Sequence, residues 1–175
     1  MKQIVKTTAG AMLLWSATLW AGAETVPGIL PSGFGAAVDR DVMALREVTK
    51  PFHDVDRALA AGYVQTTDCM EKPPEGGMGY HFENDELRDA VLEVTKPEVL
   101  VYEKRKDGSF KLNGVEYIVP FKAWTRAEPP RILDQALKRY DRAGFYYLHV
   151  WVWEPSPSGL FADWNPRVKC KQPPM

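Results

Sequence analysis

The chain has 175 residues, with 22 Lys+Arg against 23 Asp+Glu, three His and two Cys. Its 45% hydrophobic and 26% charged content is that of a globular domain and excludes collagenous, low-complexity and strongly disordered classes. A net charge of −1 lacks the basic surplus that displaces counterions from nucleic acid, so no nucleic-acid partner is expected.

The chain opens with Lys2 and Lys6, then an apolar run from Ala9 to Trp20, then the small residues Ala21-Gly22-Ala23. This is the layout of a secretory signal peptide over residues 1–23. The apolar run, about 12 residues, is shorter than the roughly 20 a membrane span needs, so no span is expected after cleavage. The expected location is the periplasm or the extracellular medium. Removing 23 residues and two lysines leaves 152 residues with 20 basic and 23 acidic side chains, a net charge of −3. A chain of that size buries about 68–70% of its unfolded surface and carries its own core.

The next stretch, residues 24–35, is rich in Pro and Gly and reads as an extended leader to a single domain over 36–175. Val38, Val42, Leu45, Phe52, Val55 and Leu59 carry a helical period that Pro51 must kink or divide, and Gly62 is placed as its left-handed stop. Tyr63 to Gly79 reads as loop, with Tyr80-His81-Phe82 a short strand emerging from it. Asn84 can cap a short helix to Val91, with Asp85 and Glu86 in its first turn. Val99–Lys104 and Phe110–Phe121 are predicted strands around a hairpin at Asp107-Gly108, and Asn113-Gly114 suggests a bulge or a second tight turn. The spacing of Ile132, Leu133, Ala136, Leu137 and Tyr140 predicts a helix over Arg131–Arg142. Phe145–Glu154 is the clearest strand, apolar on both faces and therefore central. A Pro-rich tail follows. Helices and antiparallel strands without regular βαβ alternation give an α+β class, with an antiparallel sheet and helices packed on one face.

Cys69 and Cys170 are the only cysteines. In an oxidising compartment they most simply form one disulfide, tying the tail to the early part of the domain. It would close a loop of about 100 residues, worth up to about 4–5 kcal/mol in the chain-entropy model. A reactive or metal-binding thiol is the alternative, and neither cysteine has a CxxC partner.

The three histidines limit the available chemistry. His149 lies in an aromatic stripe with Tyr147 and Trp151, and His81 lies between Tyr80 and Phe82. Glu116 interrupts an apolar strand, where an unpaired carboxylate is unusual. A buried imidazole needs a partner for its nitrogens. His81, His149 and Glu116 can therefore converge from different strands as ligands for a Cu, Zn or Fe ion, with His53 from a covering helix and Met78 as a soft ligand favouring copper. Tyr147 and Trp151 are candidate pocket-lining residues. The competing reading has satisfied core histidines and a Glu116 paired to a basic side chain. No GxSxG elbow, P-loop or CxxCH is present, which sets aside those hydrolases, nucleotide binding of that type and covalent haem. Three functions stand: binding of a metal or small ligand, a metal-dependent enzyme with an activated water, or an interaction protein without a small-molecule site.

The stretches Gly76-Gly77-Met78-Gly79-Tyr80-His81-Phe82, Gly114-Val115-Glu116-Tyr117 and Leu148-His149-Val150-Trp151-Val152-Trp153, with Gly159-Leu160-Phe161 and Asn165 to Cys170, resemble a family of exported bacterial proteins of unknown function. The likeness runs from about Phe52 to Cys170 and departs from the family pattern at Ser156-Pro157-Ser158. It implies an exported single domain and points at His81, Glu116 and His149. It brings no activity with it.

Overall fold

The protein is described by a computed structural model over residues 32–170. The expected signal peptide and the leader up to residue 31 lie outside the described residues.

The first helix, α1 (Ala36–Thr49), buries Val38, Val42, Leu45 and Thr49 along one face. Pro51 divides the helical region as its missing N–H requires: a 3₁₀ turn over Lys50–His53 leads to α2 (Val55–Ala60), whose Asp54 cap accepts a hydrogen bond from the Asp56 N–H. Gly62, at φ +91°, ends the segment.

Seven strands form one antiparallel sheet: β1 (Val64–Gln65), β2 (Met70–Lys72), β3 (Gly76–Glu83), β4 (Val99–Lys104), β5 (Phe110–Pro120), β8 (Lys138–Tyr140) and β9 (Phe145–Val150). Their order is β1-β3-β4-β5-β9-β8, with β2 beside β3, while β6 (Arg131–Ile132) and β7 (Gln135–Ala136) make a separate ribbon. The fold is α+β, as expected, and Cys69 is disulfide-bonded to Cys170 with 5.4 Å between their Cα atoms.

Because strand side chains alternate, the sheet has two different faces. Phe82, Leu100, Tyr102, Val115, Tyr117, Leu148 and Val150 share the main core with Val38, Val42 and Leu45 of α1. The opposite parity holds His81, Val99, Val101, Glu116, Ile118, Tyr147 and His149, brought into line by the registers His81↔Val101, Val99↔Glu116 and Glu116↔His149. The C-terminal segment covers part of this second face, where Val168 packs on Val101 and Trp151. A register shift places Asn113 as the extra residue between the pairs Val101↔Gly114 and Tyr102↔Leu112, so the Asn113-Gly114 signal marks a bulge.

Four local expectations are corrected. Residues 131–142 form β6, β7 and β8, not a helix, because Leu133 and Asp134 take left-handed φ angles of 52° and 57° and Lys138–Tyr140 pair with β9. The Gly76–Gly79 run is strand, not flexible loop: the Gly77 N–H donates to the carbonyls of Asn165 and Val168, and its carbonyl accepts from the Asn165 N–H. A Cβ on Gly76 would lie 2.2 Å from the Asn165 carbonyl oxygen, so the glycine serves close approach of backbone. The helix after Asn84 shrinks to a 3₁₀ turn, Asp85–Leu87, although the Asn84 cap forms to the Glu86 N–H. The last strand stops at Val150, since the Trp153 and Glu154 N–H groups turn to the Asn113 carbonyl.

Candidate metal centre

Three strands of one sheet supply the centre, with β4 lying between β3 and β5. His81 comes from β3, Glu116 from β5 and His149 from β9, with Glu116 and His149 directly opposite in register. All three are buried, at 4%, 5% and 2% exposure. Nε2 of His81 lies 3.4 Å from Nε2 of His149 and 3.6 Å from Oε2 of Glu116. Nδ1 of His149 lies 3.8 Å from Oε1 of Glu116 and has no hydrogen-bond partner among the described residues. One ligand atom from each side chain can be chosen so that all lie within 4.8 Å of one another.

The positions of the rings have local causes. The His81 backbone N–H donates to Thr67 Oγ1 at 3.0 Å, and the same hydroxyl lies 3.2 Å from His81 Nδ1. With the ring hydrogen on Nδ1, Thr67 accepts it and the Nε2 lone pair faces His149. Trp151 lies parallel to the His149 ring, at 12° and 6.0 Å, and its indole N–H donates to the Ala162 carbonyl. Gly114 lets β5 and β9 approach: a Cβ there would sit 2.5 Å from the Val150 oxygen.

Burial sets the charge state. It pushes His81 down to about 4, and burial together with neighbouring His81 holds His149 well below the usual imidazole range. Burial, then the nearby Glu83 and Asp163 charges, hold the Glu116 carboxyl well above its usual range. Burial therefore favours the uncharged form of all three groups. The 3.4 Å separation of the Nε2 atoms is long for a hydrogen bond. It matches the roughly 3.3 Å edge of a tetrahedron with bonds of about 2.05 Å to nitrogen. The three side chains could together hold a metal ion.

A cavity of about 400 Å³ opens onto the three residues and is also lined by Thr67, Met78, Tyr147 and Trp164. Two of the further expected residues, Met78 and Tyr147, thus line it, while Trp151, expected in the lining, lies outside it and stacks beside His149. His53 does not join. It is exposed and packs edge-on against Trp153, 4.3 Å away, in the layer shared with α1, because the Pro51 turn places it on the helical side of the sheet. Thr67, Glu83 and Asp163 were not foreseen, since each becomes a neighbour of the centre only through strand pairing and the tail's return.

No family model, curated protein or solved structure matches the chain.

Proposed function

We propose that this chain is an exported protein that holds one Cu, Zn or Fe ion on His81, His149 and Glu116. The observation that carries this reading is the close, edge-on approach of two buried imidazoles, with their Nε2 atoms 3.4 Å apart beside a buried carboxyl. An ion between them converts a costly arrangement into a ligand set, since binding displaces the Glu116 proton and gives the nitrogen lone pairs a partner. Thr67 then acts as the acceptor that fixes the ligating tautomer of His81. The Met78 thioether beside the cavity favours copper among the three. Export is supported by the layout of the leader and by the disulfide, and the motif resemblance to exported bacterial proteins of unknown function agrees with it.

A second reading, a metal-dependent enzyme, is favoured by the cavity. Structural zinc sites are closed by four protein ligands, whereas catalytic sites keep three and leave a position for water or substrate. Three ligands beneath a 400 Å³ cavity follow the second pattern. In that case the ion supplies an activated water.

Metal analysis of the exported, purified protein tests the proposal. One ion per chain, lost in His81→Ala and His149→Ala with the fold retained, supports it. Folded protein that stays metal-free after loading with each of the three ions overturns it.

A further inference from the structure

The walls of the cavity differ in character from its floor. On the β8–β9 side, Tyr140, Phe145 and Tyr147 form an edge-to-face cluster with centroid separations of 5.7, 6.0 and 6.4 Å. Met70, Met78 and Trp164 also line it, with Ile118 and Ala143 as the aliphatic members. Rings and thioethers of this kind favour a flat aromatic guest, which finds edge-to-face and sulfur contacts that an aliphatic guest does not. The volume of about 400 Å³ is at the small end of ligand sites and suits one small molecule rather than a peptide.

Charge narrows the class. Among the described residues lining the cavity the ionisable acids are Glu83, Glu116 and Asp163, and no Lys or Arg is present. Arg88 and Lys138 pair with Glu83 and Asp163 from outside the lining. An anionic guest finds no guanidinium or ammonium in the lining to receive it, since Arg88 and Lys138 are engaged by Glu83 and Asp163. A neutral nitrogen donor needs no such partner and can complete the coordination of an ion held by three protein ligands.

We propose that the cavity takes a small planar aromatic molecule bearing a neutral nitrogen donor, an aryl azole in chemical class. The ring lies among Tyr140, Phe145 and Tyr147 and the nitrogen faces the ion. This rests on the metal-centre reading above.

The test uses the full mature protein loaded with Co²⁺, whose visible spectrum reports ligation. It is titrated with 4-phenylimidazole, imidazole and benzoate. The expected result is a spectral change with 4-phenylimidazole at about tenfold lower concentration than with imidazole, reflecting the buried phenyl ring, and weaker binding of benzoate. Tyr147→Ala should erase the advantage of the phenyl group. Tyr140→Ala, at a half-exposed rim position, should reduce it and keeps the test open should the first variant misfold. Stoichiometric cobalt with no preference for 4-phenylimidazole over imidazole, or with benzoate the tightest probe, overturns this inference and leaves the metal centre standing. Folded protein that takes neither cobalt nor any of Cu, Zn and Fe overturns both.

Discussion

At the scale of single residues, the proposed centre separates groups that would hold an ion from groups that would hold the ligands in place. Glu116 belongs to the first set. Glu116→Gln keeps the shape and removes the anion, so metal affinity should fall by more than tenfold in competition with a chelator. Thr67 belongs to the second set. Thr67→Val deletes the acceptor at His81 Nδ1 and should weaken affinity by about 10–100-fold, with the stoichiometry at saturation unchanged. A variant with wild-type affinity would show that Thr67 does not orient the ring. Glu98 offers a separate titration. It is 1% exposed, its Oε2 accepts from the Ile118 N–H, and burial pushes its carboxyl up to about 8. Its folded value exceeds the unfolded one near 4.5, so the folded state keeps a proton that the unfolded state has lost. The contribution of Glu98 to stability therefore falls as pH rises from about 4.5 to about 8. Glu98→Gln should be more stable than the parent at pH 8, and the gap should close near pH 4, as read from urea unfolding at the two pH values.

At the scale of elements, the ligand set is a consequence of register. Glu116 and His149 face each other only because β5 and β9 pair as Tyr117↔Leu148 on one side and Val115↔Val150 on the other, and a slip of one residue would send Glu116 into the apolar core. Gly114 holds this pairing close. Gly114→Ala should cost more than about 2 kcal/mol, through its clash with the Val150 carbonyl, and should weaken metal binding in parallel, as thermal unfolding and metal titration will show. The same scale explains what could be read in advance. The α1–α2 division followed from Pro51, the β4–β5 hairpin from Asp107-Gly108, and the bulge from Asn113-Gly114, all local chemistry. His81, Glu116 and His149 stood out because polar groups in apolar strands demand partners. The strands at 131–140 were missed because Ile132, Leu133, Ala136 and Leu137 satisfy a helical period. Pairing of Lys138–Tyr140 with β9 is a long-range interaction that local propensity does not contain. His53 was misassigned for a similar reason, as its helical position carries no sign of which face of the sheet it covers.

At the scale of the whole molecule, one side of the sheet is a conventional core under α1 and α2, and the other sets His81, Glu116 and His149 among apolar residues and is partly covered by the C-terminal segment. Cys69–Cys170 spans 101 residues and fastens that segment beside Thr67 and Met70, which line the cavity. Its loss should lower stability by up to about 4–5 kcal/mol in the chain-entropy model. The Cys69→Ser/Cys170→Ser double variant should show this in a denaturant midpoint and should also release bound metal more rapidly, since Thr67 and Trp164 lose their anchor. An unchanged release rate would mean that the strap serves the fold alone. No helix among the described residues is long and apolar enough to cross a membrane. The central question is whether an ion sits between His81 and His149. The most direct measurement is the metal content of the purified protein, by elemental mass spectrometry, beside that of a folded His81→Ala/His149→Ala double variant. One Cu, Zn or Fe per chain is expected in the parent and none in the variant; a parent that is metal-free after loading, or a variant that retains its metal, would contradict the proposed centre.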